Sequence, residues 1–205
     1  MQVGFRHLAN RYDIALAQPL RVESMIGTVR VSRESDGNVE NRYPPSYRPA
    51  DDFAGHFEFG LKYEEIHLEF FARLFAATGS QPIEDWCRRE PFGQYARRTG
   101  FLYEWLTGER LDVPDVTNGR YVDAVSPQDY LTRRDALRTR RWRVNNNLPG
   151  TAEFCPLVRR TASVQEALQF DLRAALEELD HAYGSDILMR TASWLTFKES
   201  RASFL

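Results

Sequence analysis

The chain has 205 residues, 42% of them hydrophobic and 13% aromatic, which supplies a sizeable core and excludes a disordered polymer. Its net charge of −2 gives no global electrostatic reason to expect a nucleic-acid partner. No run of about 18 apolar residues occurs and residues 1–7 lack the apolar stretch of a signal peptide, so no membrane span is expected and the expected location is cytoplasmic. Of the 27 basic residues only Lys62 and Lys198 are lysine, a bias that GC-rich coding explains without naming a partner. Cys87 and Cys155 stand far apart with no second ligand at metal spacing, so both read as free thiols.

Residues 20–50 read as a β-hairpin arm: Gly27 to Ser32 alternates β-branched and polar residues, Asp36-Gly37 is a turn signal, and Val39 to Tyr43 returns. Pro44, Pro45 and Pro49 then forbid regular structure. Phe53 to Thr78 is helical in character with apolar residues on more than one side, which predicts one long buried central helix closed by Gly79. Helices follow over Ile83 to Arg89, stopped by Glu90-Pro91, and over Phe92 to Thr107, closed by Gly108.

Residues 109–163 are punctuated by Pro and Gly and predict short strands such as Arg120 to Ala124 and Arg141 to Val144 inside a long irregular segment. Val164 to Tyr183 predicts one amphipathic helix, broken by Gly184, after which Asp186 can cap a terminal helix over 185–205. That last helix has no closing signal, and Trp194 and Leu195 sit where its apolar stripe is strongest. The chain therefore reads as a piece ending before the part that carries chemistry. The fold class is mainly α: one helical domain over 1–205 with a β-hairpin arm and a long irregular segment.

Two constellations invite a chemical reading. Arg133, Arg134, Arg138, Arg140, Arg141 and Arg143 surround Trp142, and arginines beside an exposed tryptophan suit phosphate contact and base stacking. The competing reading, favoured by the near-neutral net charge, places Arg140 to Arg143 on a half-buried strand paired to acidic residues of 109–123. His56 and His67, three helical turns apart, are too distant to share one ion. Glu58, Glu64 and Glu65 are the carboxylates that a stand-alone hydrolase would use. No Walker loop, G-x-S-x-G elbow, H-E-x-x-H or C-x-x-C occurs, so the sequence names no catalytic residue and no metal ligand.

Several stretches carry a resemblance: Gly55-His-Phe-Glu-Phe-Gly-Leu-Lys-Tyr-Glu64, Glu90-Pro-Phe-Gly-Gln-Tyr-Ala-Arg-Arg98, Phe101-Leu-Tyr-Glu-Trp-Leu-Thr-Gly108, Asn147-Leu-Pro-Gly-Thr151, Phe154-Cys-Pro-Leu-Val-Arg-Arg-Thr161 and Trp194-Leu-Thr-Phe-Lys-Glu-Ser-Arg-Ala-Ser-Phe204. Together they resemble the N-terminal region of bacterial Fic (filamentation induced by cAMP) proteins. The resemblance implies a parent that moves AMP from ATP, with Mg²⁺, to a hydroxyl of a target protein. The family's H-P-F-x-x-G-N-G-R catalytic loop is absent here, so the resemblance implies no cofactor and no catalysis for this chain. Ser203 fits the first position of the family's inhibitory pattern [ST]-x-x-x-E-[GN], whose Glu would fall at position 207. The partners implied are the catalytic Fic core of the same protein and an unidentified target. A nucleic-acid or nucleotide-binding module built on the arginine segment is the alternative.

Overall fold

The computed structural model describes residues 1–202, so Ser203, Phe204 and Leu205 lie outside the described residues. The protein is α-rich and mixed, 46% helical and 14% strand with two small sheets. The chain divides into two compact units, Met1–Arg159 and Arg160–Leu205.

In the first unit a two-residue strand β1 (Gln2–Val3) runs into α1 (Gly4–Arg11), and β2 (Val22–Ile26) precedes the hairpin of β3 (Val31–Ser35) and β4 (Asn38–Tyr43). The sheet order is β1-β2-β4-β3. Asp36 (φ 51°) and Gly37 (φ 77°) form the left-handed turn that the Asp-Gly pair predicts, which sets the antiparallel register Ser35↔Asn38. β2 lies parallel to β4, Val22 opposite Val39, so the arm is part of a four-stranded sheet rather than a lone hairpin.

The long central helix is instead two, α2 (Phe53–Tyr63) and α3 (Leu68–Thr78). Asp52 caps α2, its carboxylate accepting the Gly55 N–H at 2.7 Å. α4 (Gln81–Arg89) and α5 (Gln94–Thr107) follow, the latter closed by left-handed Gly108. Then come β5 (Val122–Asp123), β6 (Leu137–Thr139) and β7 (Val144–Asn146) in a second sheet of order β5-β7-β6.

The core is aromatic. The Phe5 ring meets Phe57 at 5.4 Å and Phe71 at 5.1 Å, both edge-on, and Phe57, Phe70, Phe71, Phe75 and Trp86 are all buried. Each such ring contributes about 1.5–3 kcal/mol by leaving water. Gly60 makes the α1–α2 crossing this close, since a Cβ there would stand 2.3 Å from the Phe5 ring.

In the second unit the predicted helix 164–183 is also two, α6 (Ala162–Gln169) and α7 (Leu172–Tyr183), followed by α8 (Ser185–Ala202). Phe170 leaves the helix with ψ 120°, and Asp171 starts the next one by accepting the Ala174 N–H at 3.0 Å. No residue from 161 to 201 is buried. Trp194 and Leu195 are 59% and 47% exposed, which corrects the expectation that they pack as the anchor of α8.

These burials order the costs of truncation. Phe57→Ala is expected to destabilise the first unit by about 3–5 kcal/mol, and Gly60→Ala by about 1–3 kcal/mol through overpacking. Trp194→Ala should stay within about 0.5 kcal/mol. Urea denaturation of the three variants checks the order.

Candidate functional site

The break between α2 and α3 builds a polar cleft in the first unit. At Glu64, whose N–H closes the last helical bond to the Gly60 carbonyl, the chain turns extended (φ −120°, ψ 171°), and the side chains or amides of the next residues take tertiary or capping partners. The Glu64 Oε2 accepts the Phe5 N–H at 2.7 Å, tying the start of α1 to the end of α2. Glu65 pairs with Arg21 and Arg159. The Ile66 N–H donates to the Tyr130 hydroxyl at 2.8 Å, and His67 Nδ1 accepts the Phe70 N–H at 3.1 Å to cap α3. The sequence offers no Gly or Pro at 64–67, so the break is set by these partners and is invisible to periodicity.

A cavity of about 460 Å³ opens over the break, lined by Arg21, Glu64, Glu65, Arg98, Asp129 and Tyr130 among others. Arg21 also reaches Glu34 and the Gly37 carbonyl, both at 3.2 Å, and its hydrogen bond to Glu65 raises its pKa. Arg98 donates to the Ala124 carbonyl from Nε at 3.2 Å and Nη2 at 2.9 Å, while burial lowers its pKa.

Glu64 is the one carboxylate of the cleft held toward neutrality. Burial pushes it from 4.5 up to about 7, against the Ser24 hydroxyl, the Phe5 N–H and the Arg6 charge, which favour the ionised form. Its Oε1 has no hydrogen-bond partner. Gly4 faces it at φ 74°, and a Cβ there would stand 2.1 Å from that oxygen, so only glycine admits the carboxylate. Glu64 can thus exchange a proton near neutral pH at the wall of the cleft. Of the other two carboxylates that a hydrolase would use, Glu65 is consumed by its arginines and Glu58 pairs with Lys62.

A second cluster lay beyond sequence reasoning. His7 and His56 stack face to face at 3.7 Å, and Asp51 Oδ1 lies 3.5 Å from His56 Nε2 and 4.0 Å from His7 Nε2. One ligand atom from each residue falls within 4.8 Å of the others, so the three could hold a cation. The backbone argues for another use: His56 Nδ1 accepts the Gly4 N–H at 3.3 Å, which leaves the proton of a neutral imidazole on Nε2, facing Asp51. Burial first, and His7 second, lower the His56 pKa and keep the ring neutral. As built, the cluster presents an N–H where a metal needs a lone pair. Spacing gave no hint of it, because Asp51 and His56 are local neighbours at the start of α2 and His7 joins them only through the packing of α1 on α2.

The arginine segment is a turn. Residues 140–143 join β6 to β7 with Arg143 at φ 49°, so Arg141 to Val144 is not the strand that alternation predicts. Trp142, which base stacking requires on the surface, is buried, its Nε1 donating to Glu104 at 2.7 Å. Arg141 pairs with Glu104 at 2.9 Å and with Asp115. Arg143 donates to the Gly119 carbonyl at 2.7 Å and the Thr117 carbonyl at 3.2 Å. Arg133, Arg134, Arg138 and Arg140 are exposed. Ser203 lies outside the described residues. Burial raises both thiols, Cys87 to about 12, so neither is an activated nucleophile.

Compared with known proteins, the chain matches no family model, no curated protein and no solved structure.

Three variants probe the cleft and the arginine segment. Glu64 has a folded pKa above its unfolded value, so its contribution is fully present below about 4.5 and is lost as pH rises through about 7. Glu64→Gln should therefore gain on the wild type by roughly 3 kcal/mol between about pH 5 and pH 8 in urea denaturation. Arg141→Met, which leaves Glu104 without its cation but with the Trp142 and Leu111 N–H donors, should cost roughly 2–4 kcal/mol, between exposed and buried pairs. Arg138→Ser, on the exposed strand, should stay within about 0.5 kcal/mol in the same assay.

Proposed function

We propose that the chain is the noncatalytic N-terminal region of a Fic-type protein adenylyltransferase, acting in the cytoplasm. On this reading the second unit holds an inhibitory segment, beginning near Ser203, against the catalytic core of the same protein, which binds ATP and Mg²⁺. The first unit serves as the platform that meets the target protein.

The observation that supports it is the exposed apolar surface of α7 and α8. Leu172, Leu176, Leu179 and Tyr183 follow one another at helical spacing and are all exposed, as are Trp194, Leu195 and Phe197 on the stretch leading to Ser203. A stripe of this kind is stabilised when a partner covers it. The stretch Trp194 to Phe204 is also among those that carry the resemblance, so the surface that needs a partner coincides with the segment that the family places against its core.

The test is association in trans. A Fic catalytic core with the H-P-F-x-x-G-N-G-R loop, supplied as a separate polypeptide, is titrated with the full chain by calorimetry. Saturable binding is expected, weakened at least about tenfold by Leu176→Asp with Leu195→Asp. No association at about 10⁻⁴ M, or equal binding by the variant, overturns the reading. Self-association lost in the same variant, without binding to the core, would assign the stripe to a second copy and overturn it as well.

A further inference from the structure

Arg97 is a cation that the fold leaves without an opposite charge. It sits on α5 with 4% of its surface exposed. Its Nη1 donates to the Arg120 carbonyl at 3.0 Å and the Arg143 carbonyl at 3.3 Å, and its Nε has no partner. Among the described residues no carboxylate pairs with it, and burial first and the Arg143 charge second lower its pKa. A buried charge is costly unless an opposite charge compensates it, and carbonyl oxygens supply only part of that compensation.

Arg97 also lines a cavity of about 330 Å³ whose other walls include Phe92, Ala96, Val113, Val116 and Trp142. The volume lies at the small end of ordinary ligand pockets, whose usual chemistry is a mainly apolar wall with a few fixed polar groups, here Arg97 with Arg88, Glu90, Asp115 and Thr117. The acidic groups at its edge are already engaged, Asp115 with Arg141 and Arg110, Glu90 with Arg89. Neither neutralises Arg97.

We infer that this pocket binds a small organic acid, its apolar body against Val116 and Trp142 and its carboxylate on Arg97. The guanidinium offers a planar fork of donors that matches a carboxylate, and the carbonyls on Nη1 fix its orientation in advance. The site is independent of the Fic reading, and neither the helices of the second unit nor the cleft at Glu64 takes part in it.

The full chain is titrated with 3-phenylpropionate and, separately, with its neutral amide, by calorimetry. Saturable binding of the acid is expected, at least about tenfold tighter than the amide. Arg97→Met should abolish that preference, and Val113→Trp, which fills the cavity from its wall without touching the charge, should abolish acid binding. The acid-to-amide ratio in the unaltered chain decides the matter even where Arg97→Met fails to fold. Absence of acid binding, equal binding of acid and amide, or acid binding that survives Val113→Trp overturns the inference.

Discussion

The first unit depends on where the backbone polar groups of residues 64–67 go. Ending α2 at Tyr63 forfeits helical hydrogen bonds in the middle of an apolar run, and buried amides without partners cost about 1–3 kcal/mol each. The Ile66 N–H goes to the Tyr130 hydroxyl, while the Glu64 carboxylate and His67 Nδ1 accept amides at the starts of α1 and α3, from Phe5 and Phe70, contacts that reach the N-terminal helix and the long irregular segment. α1 can then lie across α2 with Phe5 over Gly60, and α3 can turn its phenylalanines onto the same ring cluster. A continuous helix from 53 to 78 would carry α3 away from α1 and leave Phe5 uncovered. The aromatic core and the polar cleft are therefore two sides of one break.

Much of the fold was legible where a residue dictates its own backbone. Asp36-Gly37, Gly79, Gly108 and Gly184 all adopt positive φ at the turns and helix ends that their chemistry predicts. The misses share a cause. Both long helices were split where a charged or polar side chain found a tertiary or capping partner that outbid propensity, Glu64 with Phe5 in one case and Asp171 with Ala174 in the other. The second was readable, since Asp before Leu-Arg-Ala-Ala is a cap signal. The first was not, because its partners lie far along the chain.

The candidate sites follow the same division. Periodicity placed Trp142 and its arginines together but not the sign of their burial, which depends on Glu104 receiving the indole N–H. In sequence nothing sets Arg97 apart from its neighbour Arg98. Its isolation emerges only in three dimensions, where the carbonyls of residues 120 and 143 meet its Nη1 and no carboxylate pairs with it among the described residues. The exposed stripe of α7 is the converse: its apolar spacing was plain in sequence, while its solvent exposure reverses the ordinary inference from amphipathicity to a self-contained core.

The strand order of the larger sheet bears on how the molecule resists aggregation. Its two outer strands are β1, only two residues long, and β3, whose Ser32, Arg33, Glu34 and Ser35 are exposed. A short edge offers too few free amides to template another strand, and charged side chains penalise an incoming one by repulsion and desolvation. The sheet is thus closed to edge-to-edge growth by chemistry rather than by cover, and any self-assembly of this chain should proceed through helices instead of through cross-β stacking.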